Sequence, residues 1–122
     1  MKLPLAAAIA AAALLVPAGA AEAKSPPKGK YACYYSTFSG TFPAGILYIT
    51  SKSTYNVNKK GSGKYTTKGK RIKFKSGAYA KSKVYGIWQK ETSTVSGKTN
   101  FEIRIFGRED NEERFVCETR PR

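Results

Sequence analysis

Residues 59–77 read KKGSGKYTTKGKRIKFKSG, and the cations of this region are the side chains best placed to do chemistry: Lys59, Lys60, Lys64, Lys68, Lys70, Arg71, Lys73 and Lys75, with Lys81 and Lys83 just beyond. At its centre, Gly61-Ser62-Gly63-Lys64 has the look of the end of a phosphate-binding loop. That pattern, G-x-x-x-x-G-K-[ST], requires a glycine five positions before Gly63 and a hydroxyl residue after Lys64. Asn58 and Tyr65 stand there instead, and no helix signal follows to offer free N–H groups to a phosphate. Nucleotide binding of that kind is excluded.

What remains is the chemistry of unneutralised positive charge. From Lys24 to Lys90 there are fifteen Lys or Arg residues and no Asp or Glu, whereas from Glu91 onward six basic residues meet seven acidic ones. A stretch without compensating acid sustains a positive field that attracts polyanions and weakens with salt. Fourteen of the fifteen cations are lysine. Arginine is the residue that forks onto phosphate and reads bases, so the expected contact is non-specific. Tyr55, Tyr65, Tyr79 and Tyr85 interleave with the lysines, as would suit stacking on single-stranded bases. Strand alternation, however, turns Tyr65 inward. The expected partner is an anionic polymer or a cell-envelope surface, with nucleic acid as a non-specific variant, met by a monomer. The competing reading is an exported domain whose charge is generic.

Catalysis finds little support. Histidine is absent and Asp110 is the sole aspartate, set in the run REDNEER, so no imidazole can serve as a base near neutral pH. Glu102 alternates with Phe101 and Ile103 and reads as an outward strand residue paired with a neighbouring lysine; Glu91 follows Lys90 at a turn. No carboxylate pair on one face, nucleophile with its base, or metal-ligand cluster can be assembled. The expectation is a protein without enzymatic activity, cofactor or metal.

The elements that carry these residues are short strands. Apolar residues recur at every second position, and nothing after residue 30 sustains a period of 3.6. Strands are expected over 30–36, 45–50, 53–57, 64–67, 71–75, 83–89, 99–106 and 114–119, with turns at Gly61-Ser62-Gly63 and at Lys68-Gly69-Lys70. In the hairpin these turns define, Ile72 and Phe74 face inward while Arg71, Lys73 and Lys75 face out. Eight short strands make an all-β domain over residues 31–122: a small antiparallel up-and-down barrel or a closed sandwich. Cys33 and Cys117 lie near its two ends, and a bridge between them would set first and last strands side by side, as a barrel requires. Fourteen Tyr and Phe residues and Trp88 would go far towards filling its interior.

Residues 1–23 have one positive charge at Lys2, an apolar run from Leu5 to Val16, a breaker at Pro17 and small residues at Ala21 and Ala23. This is the layout of a secretory signal peptide, with cleavage expected after Ala23 and, as a second site, after Ala20. The apolar run is too short to span a bilayer. Export to the periplasm or beyond places the two cysteines where disulfides persist. Residues 24–30, KSPPKGK, read as a mobile lead-in with no reason to pack.

The order GKYACYY, GILYIT, STYNV, GSGKY, RIKFKSG and a late Cys117 resembles a loosely defined group of small exported bacterial β-proteins that share a G-x-Y-x-C start, a G-x-Y turn and an I-x-F-x-S-G strand. That resemblance implies a fold and transfers no functional residue. A looser one is to the membrane-bound and periplasmic inhibitors of c-type lysozyme, small exported β-barrels with a Y-x-C start, an S-G-x-x-Y loop and a late cysteine. It implies an inhibitory loop at Ser62 and Tyr65, with one residue fewer between glycine and tyrosine than the family's loop has.

Overall fold

The computed structural model describes residues 25–92 and 97–119; the expected leader and both of its expected cleavage sites lie outside them. Eight strands, β1 (Gly29–Thr37), β2 (Gly40–Ile49), β3 (Thr54–Val57), β4 (Lys60–Lys68), β5 (Arg71–Phe74), β6 (Val84–Thr92), β7 (Thr99–Gly107) and β8 (Glu113–Glu118), pair antiparallel in chain order. β8 returns to β1, so the barrel is closed and the sandwich alternative falls away. The closing seam has three rungs, with Cys33 opposite Cys117 in the middle one and the two joined by a disulfide.

Period-2 alternation decides what fills the barrel. Tyr31, Leu47, Tyr55, Tyr65, Ile72, Phe74, Trp88 and Ile103 point inward from seven of the strands and are almost completely buried. Their packing is aromatic: the Tyr55 ring lies 5.0 Å from Phe74 and 5.6 Å from Tyr79, centroid to centroid. Each long tyrosine also needs an acceptor for its hydroxyl, since an unpaired buried hydroxyl is costly. Tyr31 donates to the Pro27 carbonyl at 2.8 Å, Tyr65 to Ser51 at 2.7 Å and Tyr55 to Ser76 at 2.8 Å. All three acceptors are in segments that flank or connect strands, so these side chains fill the interior and tie down its ends together. Burial pushes the hydroxyls of Tyr31, Tyr55, Tyr65 and Tyr79 above their ordinary value, which keeps them neutral donors.

Several local expectations need correction. Gly61-Ser62-Gly63 is not a turn but part of β4. The turn is Asn58-Lys59, between the paired Val57 and Lys60, with φ of 56° and 61°. Two consecutive left-handed residues make the reverse turn that suits strand twist, and asparagine adopts this conformation at less cost than lysine. Asn58 is further held by its side-chain oxygen, which accepts from the Ile46 N–H at 2.9 Å. Lys59→Gly is therefore expected to raise the unfolding free energy by about 0.5–1 kcal/mol in a urea titration; a loss of stability would show that Lys59 is held by contacts the backbone does not reveal.

A four-residue helix, α1 (Ala78–Lys81), was not expected; it buries Tyr79 and is too short to show a 3.6 period. The lead-in also packs more than its composition suggests: Pro26 is buried, the Pro27 carbonyl is a hydrogen-bond acceptor and β1 begins at Gly29. β2 starts at Gly40 rather than residue 45, because it pairs back along β1 through Phe42 and Pro43.

Candidate polyanion-binding surface

The alternation that sends tyrosines inward sends cations outward. On β4 the exposed Lys64 flanks the buried Tyr65, and on β5 the exposed Arg71 and Lys73 alternate with Ile72 and Phe74. The register sets Lys68 opposite Arg71 and Thr66 opposite Lys73, while the Lys75 N–H donates to the Lys64 carbonyl at 2.7 Å. Lys64, Lys68, Arg71, Lys73 and Lys75 thus share one outer wall formed by two neighbouring strands. Neighbouring strands are about 4.8 Å apart and same-face residues about 6.8 Å apart along one strand. Both spacings fall within the ~8 Å Debye length at physiological salt, so these charges act together.

The other predicted cations lie at the ends of this wall. An up-and-down meander puts the β3–β4 turn and the β5–β6 connection at one end of the barrel, and the β4–β5 turn at the other. Lys59, Lys60, Lys81 and Lys83 therefore belong to the first end and Lys70 to the second. All ten predicted cations are exposed. Three lie over rings: the Arg71 guanidinium is 3.8 Å from the Tyr85 centroid, Lys70 Nζ is 5.4 Å from that of Trp88 and Lys59 Nζ is 5.6 Å from that of Tyr48. None of the ten has a carboxylate partner among the described residues.

The reason is where the acids sit. Because strand order follows chain order around a closed barrel, the acid-free segment becomes an acid-free wall, and the late acids gather on β6 to β8. Glu102 faces outward from β7 yet is only 3% exposed, covered by neighbours that satisfy it. It accepts from Gln89 Nε2 at 2.9 Å and Arg104 Nε at 2.8 Å, so its cationic partner is an arginine of its own strand rather than a lysine. Glu118 lies directly across from it on β8, and the Tyr34 hydroxyl donates to Glu118 at 2.7 Å. A hydrogen bond shared with Glu102, with Glu118 also near, pushes the Glu91 carboxyl above its ordinary value. Three carboxylates do share one face, contrary to the sequence expectation. That pairing depends on register across three strands, which spacing along the chain does not show.

One end of the wall contains a concavity of about 300 Å³ lined by Lys60, Ser62, Gly63, Gly77 and Lys81 among others. It exists because β4 and the β5–α1 connection approach to backbone contact at Gly63 and Gly77. A Cβ on Gly63 would overlap the Ser76 carbonyl oxygen and lie 2.9 Å from the Gly77 Cα. The glycine of GSGK is thus required by packing. Lys60 from β4 and Lys81 from α1 both line the concavity, a combination that the unforeseen helix makes. Of the two candidate inhibitory-loop residues, Ser62 is exposed at this concavity, whereas Tyr65 is 1% exposed with its hydroxyl on the Ser51 carbonyl. Tyr55 and Tyr79 are likewise in the core, and Tyr85 lies between Arg71 and Phe106. None of the interleaved tyrosines presents a free ring face for base stacking.

Among the described residues no helix is long and apolar enough to cross a membrane. Set against protein-family models, curated proteins and solved structures, the chain matches none of them, so the wall and its concavity stand on their own chemistry.

Proposed function

We propose that this is an exported, non-enzymatic binding protein whose lysine-rich wall contacts anionic polymers or cell-envelope surfaces. The observation that carries the proposal is the segregation of charge: ten exposed cations on β4, β5 and their flanking turns without a carboxylate partner among the described residues, and the acids gathered on β6 to β8. Self-repulsion within such a wall costs folding energy, and a polyanion relieves it. Lysine-rich contacts without free aromatic faces suit charge density more than sequence, and the Lys60–Lys81 concavity gives a single anionic group somewhere to seat. The disulfide accords with export into an oxidising space.

The test is retention on heparin and duplex DNA across a salt gradient, against an unrelated lysine-rich domain of matched isoelectric point. The protein is expected to elute well above that control. Replacing Lys64, Lys73 and Lys75 together by Gln should lower the log–log salt slope on duplex DNA by roughly 2–3, at ~0.9 for each phosphate no longer neutralised. Elution with the control, or a triple variant retained like the parent, would leave the charge generic.

A further inference from the structure

The β1–β2 hairpin extends beyond the barrel. Its last rung with β8 is Tyr34 opposite Val116, and β2 first meets β3 at Leu47 opposite Val57, yet β1 and β2 go on pairing with each other to Thr37 opposite Gly40. Three residues past the last shared rung, at about 3.4 Å each, make an arm roughly 10 Å long. Its rings are the large hydrophobic side chains that the core leaves outside: Phe38 in the turn is fully exposed, and Tyr35 and Phe42 are about 40% exposed. Tyr35 and Phe42 face each other at 5.5 Å between centroids. On the opposite side the Ser36 and Thr41 hydroxyls are 3.1 Å apart and bonded to one another. In a chain that is one quarter charged, residues 31–51 contain no charged side chain at all.

We infer that this arm is a membrane-docking element, and that it seats Phe38, Tyr35 and Phe42 in the headgroup region of an anionic lipid bilayer. Aromatic rings with polar neighbours favour that layer, and a segment without charge enters it at little cost. The outward edges of the arm have unpaired N–H and C=O groups, which bars deeper insertion and holds the arm at the interface. Its ~10 Å reach matches the depth at which interfacial elements lie. The same end of the barrel carries Lys59, Lys60, Lys81, Lys83, Arg108 and Arg114, against Glu109, Asp110, Glu112 and Glu113. Asp110 is paired with Arg114 and Glu113 with Arg104, so the end remains positive towards anionic headgroups. A second copy of the chain is the competing occupant. Two short strands with three rings fall far short of the ~800 Å² per partner of a stable interface, and like charge would oppose the approach.

This names the envelope surface of the preceding proposal as a lipid bilayer and rests on that proposal for its electrostatic part only. The experiment uses protein purified after export and vesicles of phosphatidylcholine with or without phosphatidylglycerol. The Phe38→Trp protein is expected to shift its emission to shorter wavelength on adding phosphatidylglycerol vesicles, against the constant background of Trp88, and to be quenched by brominated acyl chains. Phe38→Ser with Phe42→Ser should float with those vesicles about tenfold less than the parent while its heparin retention is unchanged. Emission that does not move, or a double serine variant that floats like the parent, would overturn the inference. So would lipid-free self-association that disappears in that variant. An emission shift in protein that elutes from heparin with the control would defeat the polymer reading and leave the arm standing.

Discussion

Replacing Cys33 and Cys117 together by alanine is expected to lower the free energy of unfolding by about 4.5 kcal/mol, measured by urea titration at neutral pH. The figure follows from chain entropy: the bridge spans a sequence separation of 84, and closing a loop of that size restricts the unfolded chain by about this amount. The location matters as much as the length. The bridge occupies the central rung of a three-rung seam, the one place where the first and last strands of the barrel meet. Without it, closure depends on two remaining rungs and on the inward contacts of Tyr31 and Phe115 with the core. A domain of this size has only about 5–15 kcal/mol in total, so the variant should be marginal at physiological temperature. A loss below about 1 kcal/mol would mean that packing alone closes the barrel and that the unfolded chain is already compact.

The second large effect is expected at Gly63. Gly63→Ala should cost about 3 kcal/mol by the same titration, at the upper end of what overpacking usually does. Its added methyl would overlap the Ser76 carbonyl oxygen and lie 2.6 Å from the Tyr55 ring and 2.9 Å from the Gly77 Cα. Two of those neighbours are backbone, and the third is a ring wedged among Tyr65, Phe74 and Tyr79, so none can give way cheaply. Tyr55 also accepts the Tyr79 N–H at 3.0 Å while donating to Ser76, and displacing it would loosen the helix as well as the concavity. Gly61→Ala is the control: its φ of 60° strains an alanine, but a Cβ there meets nothing within 4 Å. It should cost only about 1–2 kcal/mol. A loss at Gly63 no larger than that at Gly61 would show that the Gly63–Gly77 contact relaxes around the added methyl at little cost.

These two cases divide what could be read from the chain. Cys33 and Cys117 share an inward face with Tyr31 and Phe115 by simple alternation, so their pairing and the closed topology were legible in the residues. Gly63 was legible as a glycine but misplaced in a turn, because Gly-Ser-Gly is the commoner turn signal and Asn58-Lys59 a weaker one. Glu102 was rightly set facing outward but was given a lysine as its partner where the structure gives Arg104. Its burial depends on Gln89, Arg104 and Glu118, which register brings from 13 residues before, 2 after and 16 after it.

By itself the sequence determined strand periodicity, the inward aromatic and outward cationic faces, the disulfide partners and the separation of a basic segment from a mixed one. All of these depend on residue type and on a period of two, which are local. Tertiary structure alone chose the closed barrel over the sandwich, and so turned a segment of charge into a wall of charge. It also decided that Lys60 and Lys81 line one concavity, that three carboxylates share a face, and that Tyr35, Phe38 and Phe42 stand clear of the core. Each of those depends on which strand lies beside which, and on where pairing stops; the chain encodes both only through the packing of the whole barrel.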